Sequence, residues 1–403
     1  MRRVSELLLR ASGQLQRLAH GVPRGLITPL VKNDLYYAYE SLFDFVAAFA
    51  LEKRVLLRGT QSPYGAAHVL AKGAAAVTAV PRSRRIAAFG RKAYPGVQFA
   101  EREPAEVFDV AAEFDPTPER ARELARHGTV LLFVPPDADV AAYEAILRET
   151  FRSVRRIRHL PRAPFDFTRP PPATLTAQSF EIAEASAESP LTFILFATND
   201  EKFQAIRLHV GCGRVLLPGW VNMDNTVYPG VDLLWGLERG IPFADLQAIY
   251  AEHLIEHLTY EDASLFLRRC RDSLRDDGVL RLTTPNLDWV WQVAYRPQQW
   301  SGDEDRLRDC FALNRAFHGW GHHFVYNAQA LYVTLRNAGF EEIRFFAYGD
   351  SSDPAMRGLE HHQRYDDVPD ITHILCVEAR GRRSGAKEYA DIVTDYETVV
   401  HVR

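Results

Sequence analysis

Short apolar segments alternate with longer amphipathic ones along most of the chain, and this alternation runs through the sequence twice. Strand and helix patterns in alternation predict parallel sheets joined by crossover helices. In the first half the pattern predicts a helix at residues 66–72 and strands at residues 54–57, 77–80, 130–134, 151–160 and 191–198. Residues 161–172 are rich in proline, which is excluded from helix interiors and central strands, so we predict a loop there.

The second half repeats the same rhythm. Its predicted strands are residues 208–210, 220–223, 231–235, 248–250, 279–283, 343–348 and 371–378. One helix begins near Asp262, with Gly278 placed to cap its end, and another covers residues 328–337 and stops at Gly339. Two halves of similar size and rhythm indicate an internal duplication. We therefore predict two domains, residues 1–200 and 201–403, that meet near Asp200.

Composition and charge narrow the class of protein. Of 403 residues, 47% are hydrophobic and 25% are charged, as is typical of soluble globular proteins. A net charge of −4 gives no reason to expect a polyanionic partner such as nucleic acid. No apolar run approaches the roughly 18 residues that a membrane span needs. The four cysteines, which lie far apart and predict reduced thiols in a cytoplasmic protein, are Cys212, Cys270, Cys310 and Cys376.

The N-terminal thirty residues form a basic amphipathic pattern. Arginines recur among leucines, and Glu6 is the one acidic residue of this segment. Our interpretation is a helix that packs on its own domain. The alternatives are peripheral contact with a membrane surface or a transit peptide.

A glycine-rich turn in the second half is the first candidate site. Gly211, Cys212 and Gly213 directly follow a predicted strand, where glycine lets the backbone approach a ligand closely. Asp224 ends the next strand, and a carboxylate there can accept hydrogen bonds from ribose hydroxyls. The dinucleotide fingerprint fails, because its third glycine would fall at Leu216 and the acid follows Gly211 by 13 residues (224 − 211). This Rossmann-like loop therefore favours S-adenosylmethionine (SAM), which has no pyrophosphate.

The ordered motifs HVGCGRVLLPGWVNMDN, VDLLWGLERGIPF, AIYAEHLIEHL and LRDDGVLRLTTPNL resemble those of class I SAM-dependent methyltransferases, over residues 207–380. The resemblance is strongest to a bacterial subgroup associated with surface-polysaccharide and natural-product pathways. It implies that the glycine loop flanks the methionine part of SAM and Asp224 holds the ribose. Leu237 would lie beside adenine, and Ala251 and Glu252 would line the pocket.

Two positions depart from the family pattern. Only six residues, 214–219, separate the glycine loop from Trp220, which is too few for the usual helix. The contribution of a helix N-terminus to ligand binding is therefore reduced or lost. Gly236 stands where many relatives carry an aspartate that contacts adenine.

The first half resembles a degenerate copy of the same domain. Residues 55–65 occupy the place of the glycine loop, but Gln61 and Pro63 stand where glycines would be, and Pro81 replaces the ribose carboxylate. We therefore predict two tandem Rossmann-like domains of the class I methyltransferase type, each with a seven-stranded, mostly parallel sheet, and no SAM site in the first. That domain would serve support, homodimerisation or substrate capture. Its arginine clusters are interpreted as a solvated face, with an anion cradle as the alternative.

Histidines are the candidate catalytic groups. Methyl transfer needs alignment and, for a hydroxyl acceptor, removal of a proton, which histidine can accept at neutral pH. The candidates are His253, His257 and His322. The spacing of His253 and His257 would put both on one helix face and matches an inverted zinc-protease pattern, which we discount because the segment follows a Rossmann-like strand.

The family resemblance offers a second interpretation of this segment. Some relatives bind a divalent metal there through an E-x-x-E-H pattern. That would make His253, Glu256 and His257 ligands, with His322 as a downstream one, although His253 replaces the first glutamate. The alternative is that Glu256 and His257 brace the SAM pocket.

Residues 286–327 form an insertion with many aromatic side chains, which we predict to be the substrate cap. The polar residues 349–362 are a second candidate to reach the site. The predicted function is SAM-dependent methylation, O-directed, of a glycan or small biosynthetic metabolite, with one active site per chain. The alternative is a non-catalytic scaffold of two Rossmann-like domains. No nucleic acid partner is expected, because the second half lacks a basic, aromatic groove.

Overall fold

The computed structural model describes residues 34–114, 116–162, 175–362 and 365–400, together with Ile27 and Pro29. The predicted N-terminal helix and most of the predicted proline-rich loop lie outside these residues. Within the described part, no helix is both long and apolar enough to span a bilayer.

The chain forms two compact units. The first contains Met1–Gln204 with two short later segments, Asn225–Val227 and Val231–Phe243, and the second contains the remaining residues from Ala205 onward. The predicted boundary at Asp200 lies close to Gln204. The two short segments come from the half predicted as the second domain.

The first unit is built on an eight-stranded mixed sheet. Its strands are β1 (Arg54–Arg58), β2 (Ala76–Val80), β3 (Gln98–Phe99), β4 (Val110–Phe114), β5 (Thr129–Val134), β6 (Ser153–Pro161), β7 (Phe180–Ala183) and β8 (Thr192–Thr198). They lie in the order β3-β2-β1-β4-β5-β8-β6-β7. The first five strands in this order are parallel, and each of β8, β6 and β7 is antiparallel to the strand before it. The predicted seven strands are therefore one too few.

β3, β4 and β7 lie outside the strand segments located in the sequence, and for the first two the physical reason is visible. β3 is only two residues long, and β4 (VAAEF) mixes alanines with a glutamate, although all five of its residues are buried. Glu113 tolerates this burial because Arg58 on β1 pairs with its carboxylate at 2.8 Å.

Among the described residues of the first unit, the helices are α1 (Asp34–Ala48), α2 (Pro63–Ala71), α3 (Arg84–Ala93), α4 (Pro118–Leu124) and α5 (Val140–Arg148). α2 begins three residues earlier than predicted, because Pro63 fits a first helical turn and the Ser62 side chain accepts a hydrogen bond from the Gly65 amide. An aromatic cluster in the core brings Val231–Phe243 into this unit, through ring contacts among Phe45, Phe49, Phe196, Phe203, Trp235 and Phe243.

An ion pair reinforces that packing. Arg239 donates to the Asp44 carboxylate on α1 at 2.5 Å, and the His68 ring lies 2.7 Å from the other Asp44 oxygen. Arg239 also covers the Trp235 ring. The sequence segment 231–243 is thereby held by residues nearly two hundred positions earlier in the chain.

The second sheet has the seven strands that the sequence predicts. They are β9 (Arg207–Val210), β10 (Val221–Asp224), β11 (Leu233–Leu234), β12 (Leu246–Glu252), β13 (Leu274–Pro285), β14 (Glu342–Phe346) and β15 (Ile374–Arg380). Their order is β11-β10-β9-β12-β13-β15-β14, with β9, β10, β12 and β13 parallel and β15 antiparallel to both neighbours. Two mixed α/β sheets of this kind confirm the predicted Rossmann-like fold class.

The helices of the second unit are α6 (Tyr260–Ser273), α7 (Leu287–Ala294), α8 (Asp303–His318), α9 (Ala328–Ala338) and α10 (Tyr389–Val400). Gly339 ends α9 in a left-handed conformation, as predicted. The predicted cap at Gly278 is wrong, because α6 ends at Ser273 and Gly278 lies inside β13. A Cβ there would stand 2.8 Å from the Leu246 carbonyl oxygen, so this glycine permits close strand approach instead.

A buried histidine makes the stability of the first unit sensitive to pH. The His159 Nε2 atom on β6 lies 2.6 Å from the Ser41 hydroxyl on α1, and burial lowers the pKa of His159 to about 3. In the unfolded chain the His159 ring takes up a proton near pH 6.5, whereas in the folded chain it stays neutral down to about pH 3. The free energy of unfolding should therefore decrease as the pH is lowered from about 6.5 to about 3, by up to about 1.4 kcal/mol per pH unit.

The variant His159→Gln isolates this effect. In urea unfolding from pH 7 to pH 5, its free energy of unfolding should depend less on pH than that of the wild type, whatever its absolute stability. His318→Gln, at an exposed position on α8, serves as the control. Equal pH slopes for the wild type and His159→Gln would contradict the assignment.

Candidate functional site

The glycine loop after β9 turns sharply at the carboxyl end of the second sheet. Gly211 and Gly213 have φ angles of +66° and +54°, a region that side chains disfavour. A Cβ on Gly211 would come within 2.9 Å of Leu254, whereas one on Gly213 would meet nothing within 4 Å. Cys212 is buried, and its amide donates to the Met223 carbonyl at 3.1 Å. As predicted, no helix separates this loop from β10.

Asp224 lies directly beside the glycine loop. It ends β10, and its Oδ2 atom accepts a hydrogen bond from the Gly213 amide at 2.8 Å. The two strongest sequence candidates for cofactor binding are thus brought together at one edge of the sheet. Leu237 begins a short 3-10 turn, Leu237–Arg239, in the segment that belongs to the first unit. Its place beside adenine stays a prediction.

Ala251 and Glu252 end β12, next to β9 in the sheet. Both are buried, and the Glu252 carboxylate accepts hydrogen bonds from the His361 and His362 amides at 2.9 and 3.0 Å. The His362 ring lies 3.3 Å from the same carboxylate. Burial alone would raise the pKa of Glu252, but the bonds from His362 and His361 lower it. Glu252 therefore anchors residues 361–362, from the polar segment that the sequence placed near the site.

His253 occupies a strained position between strand and turn. Its φ of +49° is left-handed, which is rare outside glycine and occurs often at functional sites. Its Nδ1 atom lies 2.9 Å from Glu256 Oε1, and its Nε2 atom is buried without a hydrogen-bond partner among the described residues. Glu256 is itself fully buried, and its other oxygen accepts a bond from Thr284 Oγ1 at 3.0 Å.

The predicted helical arrangement of His253 and His257 is wrong. β12 ends at Glu252, the left-handed His253 redirects the chain, and only a single 3-10 turn, Ile255–His257, follows. The two imidazoles therefore do not share a helix face.

A different set of side chains comes together instead. Among the described residues, Glu256, His257 and His322 each offer a ligand atom within 4.8 Å of the others, and His253 is outside this group. The Nδ1 atoms of His257 and His322 face the backbone carbonyls of Gly321 and Ala316, at 3.3 and 2.7 Å. Donation from Nδ1 leaves a lone pair on each Nε2 atom. Burial lowers the pKa of His322, which favours the neutral form of its ring.

A cavity of about 830 Å³ adjoins these histidines. His253, His257, His322 and His362 line it, together with side chains from α7 and α8. Both helices belong to the predicted aromatic insertion, whose ends are joined by a bridge between Asn286 and Tyr326. The predicted cap therefore forms a wall of a ligand-sized cavity.

One feature of the site escaped the sequence. The pairing of Glu252 with His362 joins residues 110 positions apart, and only the polarity of residues 349–362 hinted at it. The grouping of Glu256 and His257 with His322 was one of the sequence interpretations, but that interpretation also included His253, which the structure leaves outside the group.

No protein-family model matches the chain, and no curated protein sequence matches it. Solved structures that resemble part of it include a SAM-dependent methyltransferase from Thermotoga maritima, at 15% identity and a TM-score of 0.29, covering 41% of this chain and 90% of that one. Another is a tRNA methyltransferase from Aquifex aeolicus, at 15% identity and a TM-score of 0.30, covering 43% and 72%. These likenesses are distant and cover less than half of this chain.

The pair of Glu252 and His362 yields a direct test of the site geometry. The hydrogen bond to Glu252 raises the pKa of His362, against the opposing effect of burial. In Glu252→Gln the carboxylate charge is lost, so the pKa of His362 should fall, as measured by NMR titration of its ring protons. His318, in the same unit, serves as an internal control whose titration should not change. An unaltered His362 titration would show that the pair does not form.

Proposed function

We propose that the second unit binds SAM at the carboxyl edge of its sheet and that the protein is a SAM-dependent methyltransferase with one site per chain. The observation that carries the proposal is the hydrogen bond from the Gly213 amide to Asp224, which joins a glycine turn and a carboxylate. Both lie at the edge where parallel α/β sheets bind ligands. Leu254 packs beside Gly211, and its neighbour His253 lines the cavity.

The residues present fit the cofactor. Gly213 has open space where a side chain would stand, so its backbone can be approached closely. Asp224 supplies an acceptor for ribose hydroxyls, and Ala251 and Glu252 close the adjacent strand end. When bound, SAM supplies an electrophilic methyl group.

His253 lines the cavity and is proposed as its proton acceptor. Glu256 orients its ring through Nδ1, and Thr284 fixes the Glu256 carboxylate in turn. A carboxylate on one ring nitrogen leaves the other as the base, an arrangement that suits removal of a hydroxyl proton. This supports O-methylation of a small biosynthetic metabolite or a glycan. His257 and His322 stand next to this pair as the remaining candidates.

The first unit is proposed to lack a cofactor site. A Cβ on Gly59, after β1, would lie 2.4 Å from the Phe114 carbonyl oxygen and 2.7 Å from the Glu113 carboxylate. The Arg82 side chain donates to the Gly59 carbonyl at 2.9 Å. The strand ends that hold the ligand in a working domain are therefore packed against each other and against a charged side chain. Together with Gln61, Pro63 and Pro81, this supports a degenerate domain with a supporting role.

SAM binding tests the proposal. Asp224→Asn should weaken binding about 30-fold in isothermal titration, because a loss of about 2 kcal/mol is expected when charged hydrogen bonds are weakened. Asp245→Asn is the matched control: it makes the same change at an exposed residue just before β12, at the opposite edge of the same sheet. Absence of SAM binding in the wild type, or equal affinity in Asp224→Asn, would contradict the proposal.

Binding alone would also suit a non-catalytic scaffold. Incubation with methyl-labelled SAM and a cellular metabolite extract separates the two functions. The wild type should label a product, and His253→Gln should lose most of that labelling while its SAM affinity stays within about twofold. SAM binding without any labelled product would favour the scaffold.

A divalent metal at Glu256, His257 and His322 is the second candidate for this site, since two imidazoles and one carboxylate form a common metal-ligand set. Co²⁺ titration, followed by visible absorption, tests it without an activity assay. One ion per chain should bind to the wild type and to the control His318→Gln, and binding should be lost in His322→Gln. Activity of the enzyme should then fall on chelation and return with a divalent ion. No Co²⁺ spectrum and indifference to chelator would contradict the metal.

A further inference from the structure

The cavity of the second unit combines aromatic walls with positive charge. Its aromatic lining comes from Trp289, Phe311, Trp320 and Tyr365, and small aliphatic side chains fill the surface between them. Among the described residues that line it, none is acidic, whereas two arginines of α8 are present. No carboxylate or amide side chain among the described lining residues is present to bind the hydroxyls of a neutral sugar, whereas a flat apolar molecule would find ring faces.

The two arginines differ in their partners. Arg308 pairs with Asp305 at 2.8 Å and lies 3.5 Å from Asp309, so acidic neighbours compensate its charge. Arg315 follows two helical turns later on the same face. Its guanidinium lies 4.7 Å from the centre of the Trp320 ring and makes no ion pair with a described carboxylate.

The stacking on Trp320 holds the Arg315 guanidinium beside the cavity. A guanidinium fork pairs with carboxylate, sulfonate or phosphate oxygens through two parallel hydrogen bonds. An arginine that is fixed by a ring but lacks an acid has this capacity available for a ligand. Trp320 and Phe311 would at the same time cover the apolar part of that ligand.

We infer that the cavity takes an aromatic or similarly flat apolar molecule that carries an anionic group, and that Arg315 recognises the anion. If the protein is the methyltransferase proposed above, this molecule is the methyl acceptor. An acidic aromatic metabolite is then the preferred class of acceptor over a neutral glycan. His253, His257 and His322 line the same cavity, so the acceptor hydroxyl would face the histidines while its anionic group pairs with Arg315 on α8.

Two fluorescent probes test this inference without a known acceptor. Anilinonaphthalene sulfonate and phenylnaphthylamine share their ring systems and differ in the sulfonate. The wild type should bind the sulfonate at least about tenfold more tightly than the neutral amine. Arg315→Gln should weaken binding of the sulfonate about tenfold and leave that of the amine within about twofold, and Arg315→Lys should restore part of the loss.

Arg306→Gln is the matched control. Arg306 is also an α8 residue whose guanidinium lies over a tryptophan ring, that of Trp300, but it does not line the cavity. It should bind both probes as the wild type does. Ala312→Trp, which places a large side chain in the cavity, should abolish binding of both. Unchanged sulfonate affinity in Arg315→Gln, equal weakening for both probes, or undiminished binding in Ala312→Trp would overturn the inference.

SAM titration of the same variants separates this inference from the proposed function. Arg315→Gln should bind SAM as the wild type does. If neither the wild type nor any variant bound SAM while the probes behaved as expected, the proposed methyltransferase function would be contradicted. The inference that the cavity recognises an anion would still hold. If the protein bound SAM but the probe affinities were the same in Arg315→Gln as in the wild type, the proposed function would be supported and the inference about the cavity would be contradicted.

Discussion

The buried carboxylate of Glu256 is the constraint on which the arrangement of the candidate site depends. A carboxylate removed from water is costly unless hydrogen bonds surround it. Here the His253 ring contacts one oxygen, and the Thr284 hydroxyl from β13 donates to the other. The backbone carbonyl of the same residue accepts the His323 amide at 2.7 Å. One residue thereby fixes the end of β12, the end of β13 and the last part of the aromatic insertion.

The strain at His253 follows from these contacts. To reach Glu256 from the end of β12, the chain passes through a left-handed residue and then a single tight turn. That path directs His257 toward His322 and places Leu254 against Gly211. The conformation that would be unfavourable in isolation thus couples the glycine loop to the histidine-lined cavity, and the surrounding hydrogen bonds offset its cost.

The sequence predicted those parts of the molecule that depend on local chemistry. The glycine turn, the missing helix before β10, and the left-handed cap at Gly339 all follow from residue types at short spacing. Features that depend on distant partners were missed. β4 carries a buried glutamate that is paired with Arg58 from β1 and Arg120 from α4, and residues 231–243 pack with α1 through the pair of Arg239 and Asp44.

Helical spacing misled where tertiary contacts prevailed over local pattern. Gly278 resembled a helix cap because it follows an amphipathic segment, yet a close approach of β12 accounts for it. The H-x-x-E-H spacing suggested one helix face, whereas the burial of Glu256 imposed a turn. Both errors arise because periodicity describes an element in isolation and carries no information about which polar group must be satisfied inside the fold.

We propose that the chain holds one SAM site, in the second unit, although each unit contains a mixed α/β sheet of its own. A crystal structure with S-adenosylhomocysteine tests it most directly. Electron density for one ligand should lie beside Gly213 and Asp224, and none should lie after β1, where Gly59 packs against Phe114. Density beside Gly59, or an ordered ligand that avoids Asp224, would contradict it.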